Sequence, residues 1–173
     1  MIRGYYMKYI VKQKLVALKP TYEILDASGN PLYKVKGSFL GRESFEITDL
    51  DGETLAMCKT NVNVLSMIGS FLRYNFKKYH ISVDGESVLS IARSLNIFSY
   101  KFAIDSVLGD VSLGYGMTGS HQFKLQEKVI CDIDKRKLTL GGDEYHIEVD
   151  DTQDHKTFLL TAIALDRIYY TKR

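Results

Sequence analysis

Gly114-Tyr115-Gly116-Met117-Thr118-Gly119 has the G-x-G-x-x-G spacing of a dinucleotide-binding turn. Such a turn needs a buried parallel strand before it, a helix after it and an acidic residue about 20 positions on. Ser120-His121-Gln122-Phe123-Lys124-Leu125 follows instead, an alternating strand pattern. The six residues are therefore expected to form a glycine-rich β-turn or barrel corner, and no cofactor is expected. His80, His121, His146 and His155 are scattered, with no H-E-x-x-H and no i, i+4 pair to hold zinc, so no metal site is expected either. There is no G-x-S-x-G elbow, and neither Cys58 nor Cys131 has neighbours in sequence that would lower a thiol pKa. No catalytic residue is assigned.

Basic residues offer chemistry of another kind. Residues 1–20 contain Arg3, Lys8, Lys12, Lys14 and Lys19 and no acid. Alternation sends Lys12 and Lys14 outward from their strand, and Lys34 and Lys36 share a face by the same reasoning. If the two strands are neighbours, the four cations form one patch suited to phosphate headgroups. Arg73-Tyr74-Asn75-Phe76-Lys77-Lys78-Tyr79 is a second basic and aromatic stretch, of the kind that docks at an interface. Lys12, Lys14, Lys34, Lys36, Arg73 and Lys77 are thus the candidate anion-binding residues. The competing reading is a solvated outer face with compensating acids nearby.

The elements that would carry these residues are mostly strands. Tyr9, Val11 and Leu15 alternate with Lys8, Lys12 and Lys14 up to Pro20. Tyr22 to Val35 then reads strand, polar turn, strand. Phe45 to Cys58 repeats it position for position, Tyr22 with Phe45, Asp26 with Asp49, Gly29 with Gly52 and Leu32 with Leu55. The aspartates can bond backbone two residues on, and the glycines accept a positive φ. The pattern continues through Tyr79–Glu86 and Val88–Arg93, then Tyr100–Asp105 and Val111–Leu113. His121–Leu125, Val129–Asp134, Lys137–Leu140 and Tyr145–Val149 read as four more short strands. About a dozen strands with turns every 8 to 12 residues imply a sandwich or barrel, and closure would remove the exposed edges.

One segment reads as a helix, about 154–170. It follows Asp150, Asp151 and Asp154, suited to a helix N-terminus, and Phe158 to Leu165 shows no polar stripe. A helix apolar all round must be buried all round. The expected fold class is mainly β: a closed antiparallel barrel of about 12 strands enclosing a hydrophobic C-terminal helix, which fills the interior and leaves no large lumen. Asp166 is the structural polar residue of that helix, expected near the barrel rim and paired with a basic residue, because an unpaired charge there would be costly.

Composition agrees. The 173 residues fit a single domain, 1–173, and 12 Tyr and 8 Phe with no Trp suit pleated strands. The 23 Lys+Arg against 21 Asp+Glu leave +2, too little to argue for nucleic acid. The N-terminus lacks a signal-peptide h-region, the longest apolar stretch is far short of a membrane span, and the two cysteines read as reduced thiols. A cytoplasmic location, peripheral at a membrane, is expected.

Gln13 to Ile24, followed by Asp26-Ala27-Ser28-Gly29-Asn30-Pro31-Leu32-Tyr33-Lys34-Val35-Lys36-Gly37, resembles the LURP-one-related family. That family's fold is similar to the tubby C-terminal domain and the phospholipid scramblases. Ala162-Ile163-Ala164-Leu165-Asp166-Arg167-Ile168 is similar to its central helix, and 61–78, with Met67-Ile68-Gly69-Ser70, departs from the compact connection expected. The resemblance implies the barrel and helix already argued and carries no catalytic signature. By fold analogy it implies an anionic phospholipid surface or a protein partner. The expected function is non-enzymatic binding or scaffolding through a basic barrel surface. The alternative is an enzyme of unrecognised chemistry with a small surface pocket, and the two are separated by whether carboxylates, His or Cys converge in a concavity.

Overall fold

The computed structural model describes residues 5–14, 21–38, 43–61, 77–93, 102–117, 120–138 and 142–170. Within them lie twelve strands and one helix. The strands are β1 Tyr6–Lys14, β2 Thr21–Asp26, β3 Pro31–Ser38, β4 Ser44–Thr48, β5 Thr54–Asn61 and β6 Lys78–Val83. After them come β7 Glu86–Arg93, β8 Phe102–Ser106, β9 Val111–Tyr115, β10 His121–Leu125, β11 Lys128–Leu138 and β12 Gly142–Asp150, and then the helix α1, His155–Tyr170.

Alternation dictates the pleat: in β1, Tyr9 and Val11 are buried while Lys8, Lys12 and Lys14 are exposed. All strand pairs are antiparallel, in the order β8-β7-β6-β5-β4-β3-β2-β1-β12-β11-β10-β9. The sheet curls until β8 and β9, its two edges, lie beside each other. The result is a nearly closed barrel with one seam.

The internal repeat folds as the spacing predicts. Asp26 Oδ1 accepts from the backbone N–H of Ser28 and Asn30, both at 2.8 Å, and Gly29 sits at φ +87°. In the second copy Asp49 Oδ1 accepts from Gly52 at 2.7 Å and Glu53 at 2.8 Å, and Gly52 sits at φ +99°. A Cβ is strained at such angles.

Helix α1 begins where Asp154 caps it: Oδ2 accepts both the N–H and the Oγ1 hydroxyl of Thr157 at 2.8 Å. Thr157 to Asp166 are ten consecutive buried residues, so no face of the middle of α1 meets water. Its side chains reach strands around the barrel, Phe158 stacking edge-on with Phe123 of β10 at 5.7 Å and Ile163 and Leu159 sharing the core with Ile81, Ile91 and Ile147. The helix is the interior of the barrel.

One strand boundary differs from expectation. Val129–Asp134 and Lys137–Leu140 are not two strands; β11 runs unbroken from Lys128 to Leu138, with Thr139 and Leu140 outside the described residues. The charged run Asp134-Lys135-Arg136 resembles a turn, yet alternation continues through it. Lys135 follows Cys131 and Ile133 on the inward face, and Arg136 stays exposed. β8 starts at Phe102; the expected Tyr100 start lies outside the described residues.

Candidate anion-binding surface

Antiparallel order gives the barrel two unlike ends. The connections 27–30, 49–53, 84–85, 107–110, 126–127 and 151–154 all fall at the end where α1 enters. They carry Asp49, Asp51, Glu53, Asp84 and Asp110, then Glu127, Asp151 and Asp154, and no Lys or Arg. The remaining strand ends lie at the end where α1 finishes, and the connections between them, 15–20, 39–43, 62–77, 94–101, 116–120 and 139–141, fall mostly outside the described residues. In sequence they hold Lys19, Arg42, Arg73, Lys77 and Lys101 against the single acid Glu43. The turns at the helix N-terminus are thus acidic, the sign the helix dipole favours there.

At the basic end the helix is held by ion pairs. Glu43 is 4% exposed. Its Oε1 takes Arg167 Nε at 2.5 Å, and its Oε2 takes Lys77 Nζ and the Tyr79 hydroxyl, both at 3.0 Å. Burial works against the Glu43 charge, but Arg167 and Lys77 outweigh it and hold the carboxyl below its usual value. A second group joins α1 to the β11–β12 hairpin. Lys135 Nζ lies 2.7 Å from Asp166 and 2.6 Å from Asp143, and 5.3 Å above the Tyr145 ring. Burial opposes the Lys135 charge, and the hydrogen bonds to Asp143 and Asp166 raise its pKa regardless. Asp166 is thus a paired helix anchor. Beside it the hydroxyl of Tyr22 is buried without a hydrogen-bond partner among the described residues, and burial first, Asp166 second, pushes the phenols of Tyr22 and Tyr145 up.

The candidate cations are distributed as follows. Lys12, Lys14, Lys34 and Lys36 all point outward, but β2 lies between β1 and β3, so the two pairs are not on neighbouring strands. The register sets Glu23 between Lys12 and Lys34, with Glu144 on the other side of Lys12. Lys14 pairs with Glu23 at 3.3 Å and Lys12 with Glu144 at 3.6 Å. Lys34 and Lys36 have no ion-pair partner among the described residues, although the register sets Lys34 opposite Glu23 and Lys36 opposite Glu46. Lys77 is committed to Glu43, and Arg73, like Arg3, Lys19 and Met67 to Ser70, lies outside the described residues. Two contributors were missed in sequence. Glu43 is a lone acid in a connection otherwise basic in sequence, and Arg167 is the charge that follows Asp166 on the helix.

The remaining motifs assemble no cofactor or metal chemistry among the described residues. Gly114 lies in β9 and Gly116 just after it; Thr118 and Gly119 lie outside the described residues. The strand β10 follows, not a helix, and a Cβ on Gly116 would fall 2.5 Å from Ser120 Oγ. That glycine serves a close approach within a β-hairpin. No three of His, Cys, Asp and Glu converge as metal ligands among the described residues. Cys58 and Cys131 are free and fully buried, and burial raises both thiols well above their usual pKa. No helix among the described residues is long and apolar enough to cross a membrane.

Known proteins give the same outline. The family model described as LURP-one-related matches residues 7–166. The uncharacterised protein YxjI of Bacillus subtilis (strain 168) is 26% identical over 167 residues, covering 95% of this chain and 94% of its own. A protein from Arabidopsis thaliana solved by X-ray crystallography superposes with a TM-score of 0.61 at 13% identity, covering 95% of this chain and 92% of its own. At that identity the likeness is one of fold.

Proposed function

The chain belongs to the LURP-one-related family, and from that premise we propose that it is a non-enzymatic binding protein whose basic end and flanking lysines seat against anionic phosphate, as presented by phospholipid headgroups. The observation that supports this reading is the exposed pair Lys34 and Lys36, without an ion-pair partner among the described residues, on a barrel whose turns at the helix N-terminal end are acidic. A protein acidic at one end approaches an anionic surface with that end turned away, which leaves Lys34 and Lys36 to make contact. Each Lys or Arg brought to an anionic surface contributes about 1 kcal/mol, and the attraction is screened over roughly 8 Å at physiological salt. The buried ion pairs around Glu43 and Asp166 hold the helix end rigid beneath that surface and are not themselves the ligands. In a cell this behaviour corresponds to a peripheral protein on the cytoplasmic face of a membrane.

The test is co-sedimentation with vesicles. Binding is expected to vesicles containing phosphatidylserine, to fall with added salt, and to be absent with phosphatidylcholine alone. The double variant Lys34→Gln, Lys36→Gln should weaken binding with little change in melting temperature, since both side chains are exposed and in no ion pair among the described residues. Equal sedimentation with neutral vesicles, or none with either, would overturn the proposal.

A further inference from the structure

The outer face of β6, β7 and β8 holds a concavity of about 180 Å³ lined by Lys78, His80, Ser90, Asp105, Ser106 and the turn residue Val107, among others. Register builds it. His80 stands directly opposite Ser90, and Ser90 directly opposite Asp105, so three polar side chains lie in one row across three strands. Ser90 is 5% exposed although its neighbours Leu89 and Ile91 face the core, and its hydroxyl has no hydrogen-bond partner among the described residues. A buried donor left unpaired has a hydrogen bond to give to a ligand atom or a bound water.

The charges on either side are also unspent. Neither Lys78 nor Asp105 has an ion-pair partner among the described residues, and the two are not paired with each other. His80 Nε2 lies 3.0 Å from Asn61 Nδ2. An amide nitrogen only donates, so Nε2 accepts and the ring proton resides on Nδ1. Burial, with Lys78 adding to it against Asp105, keeps the imidazole pKa below its usual value and the ring neutral at pH 7. The wall therefore offers an ammonium, an imidazole N–H and a serine hydroxyl as donors, and one carboxylate as acceptor.

The row does not form a hydrolase relay. There the histidine must stand between serine and carboxylate, whereas here Ser90 is in the middle and His80 and Asp105 are two strand spacings, roughly 10 Å, apart. A plain anion would meet Asp105 and a plain cation would meet Lys78. We propose that this concavity binds a small zwitterion, a molecule carrying a primary ammonium for Asp105 and a phosphate or carboxylate for Lys78, His80 and Ser90. At roughly 30 Å³ per water the volume corresponds to about six waters, room for a molecule the size of phosphoethanolamine.

Amide-resolved NMR titration of the full chain tests this. O-Phosphoethanolamine should shift the amides of residues 87–90 and 105–107 saturably, while inorganic phosphate or ethylammonium alone should shift them at least about tenfold less at equal concentration. Vesicles exposing the same ethanolamine headgroup, run in parallel, tell a lipid-borne source from a soluble one. Asp105→Asn, at an exposed position that leaves folding intact, should weaken the zwitterion about tenfold, and Ser90→Ala should weaken it as well. No saturable shift with free or vesicle-borne ligand, equal shifts from phosphate alone, or an Asp105→Asn variant that binds as the parent does would each overturn the assignment.

Discussion

At the acidic end the turns 27–30 and 49–53 are held by hydrogen bonds between residues at most four apart, such as Asp26 to Asn30 and Asp49 to Glu53. At the basic end Glu43 and Arg167 pair across 124 positions, and Lys135 and Asp166 across 31. The first end closes these turns by local geometry, and its buried carboxylate Asp150 pairs with Lys128, a residue 22 positions away. The second is stitched by buried charges brought together only when the barrel has formed. A local turn can lose one hydrogen bond and keep its shape, whereas a buried ion pair that loses one partner leaves the other charge stranded in low dielectric.

That difference is open to measurement by chemical denaturation. Glu43→Gln should be the most damaging substitution, costing about 3 kcal/mol, because Arg167 and Lys77 lose their common carboxylate. Its effect should also shrink in acid. A carboxyl held below its usual pKa contributes stability that is present above the usual value of 4.5 and is lost as pH falls through the lower folded value, so parent and variant curves converge only in stronger acid. Asp166→Asn should cost about 2 kcal/mol, less than Glu43→Gln because Asp143 still holds Lys135. At the acidic end, Asp154→Ala removes the helix cap and Gly52→Ala forces a Cβ into φ +99°, each costing about 1 kcal/mol. Equal costs at the two ends would break the comparison. The smallest effect expected is the coupling between ends: Glu43→Gln combined with Gly52→Ala should be additive within about 0.5 kcal/mol, and a larger interaction would mean that the ends communicate through the barrel.

What the sequence revealed follows the same division. Asp26 with Gly29 and Asp49 with Gly52 are legible because a turn is decided by residues in reach of one another along the chain. The all-apolar run Phe158 to Leu165 announces its own burial, and with the alternating strands it implies the barrel. Lys135 was obscured because a lysine at an inward position looks like a turn until Asp143 and Asp166 are seen to surround it. Whether Lys12 and Lys34 share a patch depended on strand order, and β2 brought Glu23 between them. Ser90 becomes a candidate ligand group only when the register sets it between His80 and Asp105 and the curvature of the sheet buries it. Chemistry carried by neighbours in sequence could be read early; chemistry carried by neighbours in space needed the fold.

The helix that fills the barrel follows all twelve strands in the chain. During synthesis every strand leaves the ribosome before the segment that gives it an inside, so Phe45, Ile81 and Ile147 have nothing to pack against until residues 155–170 emerge. The hairpins can form early, each from its own turn, but the closed state is reached only after translation of the helix, and the β8 and β9 edges stay open to other chains in the interval. Truncation before Phe158 should therefore leave an aggregation-prone sheet and not a smaller barrel, and the rate of folding should be governed by the docking of this one late element.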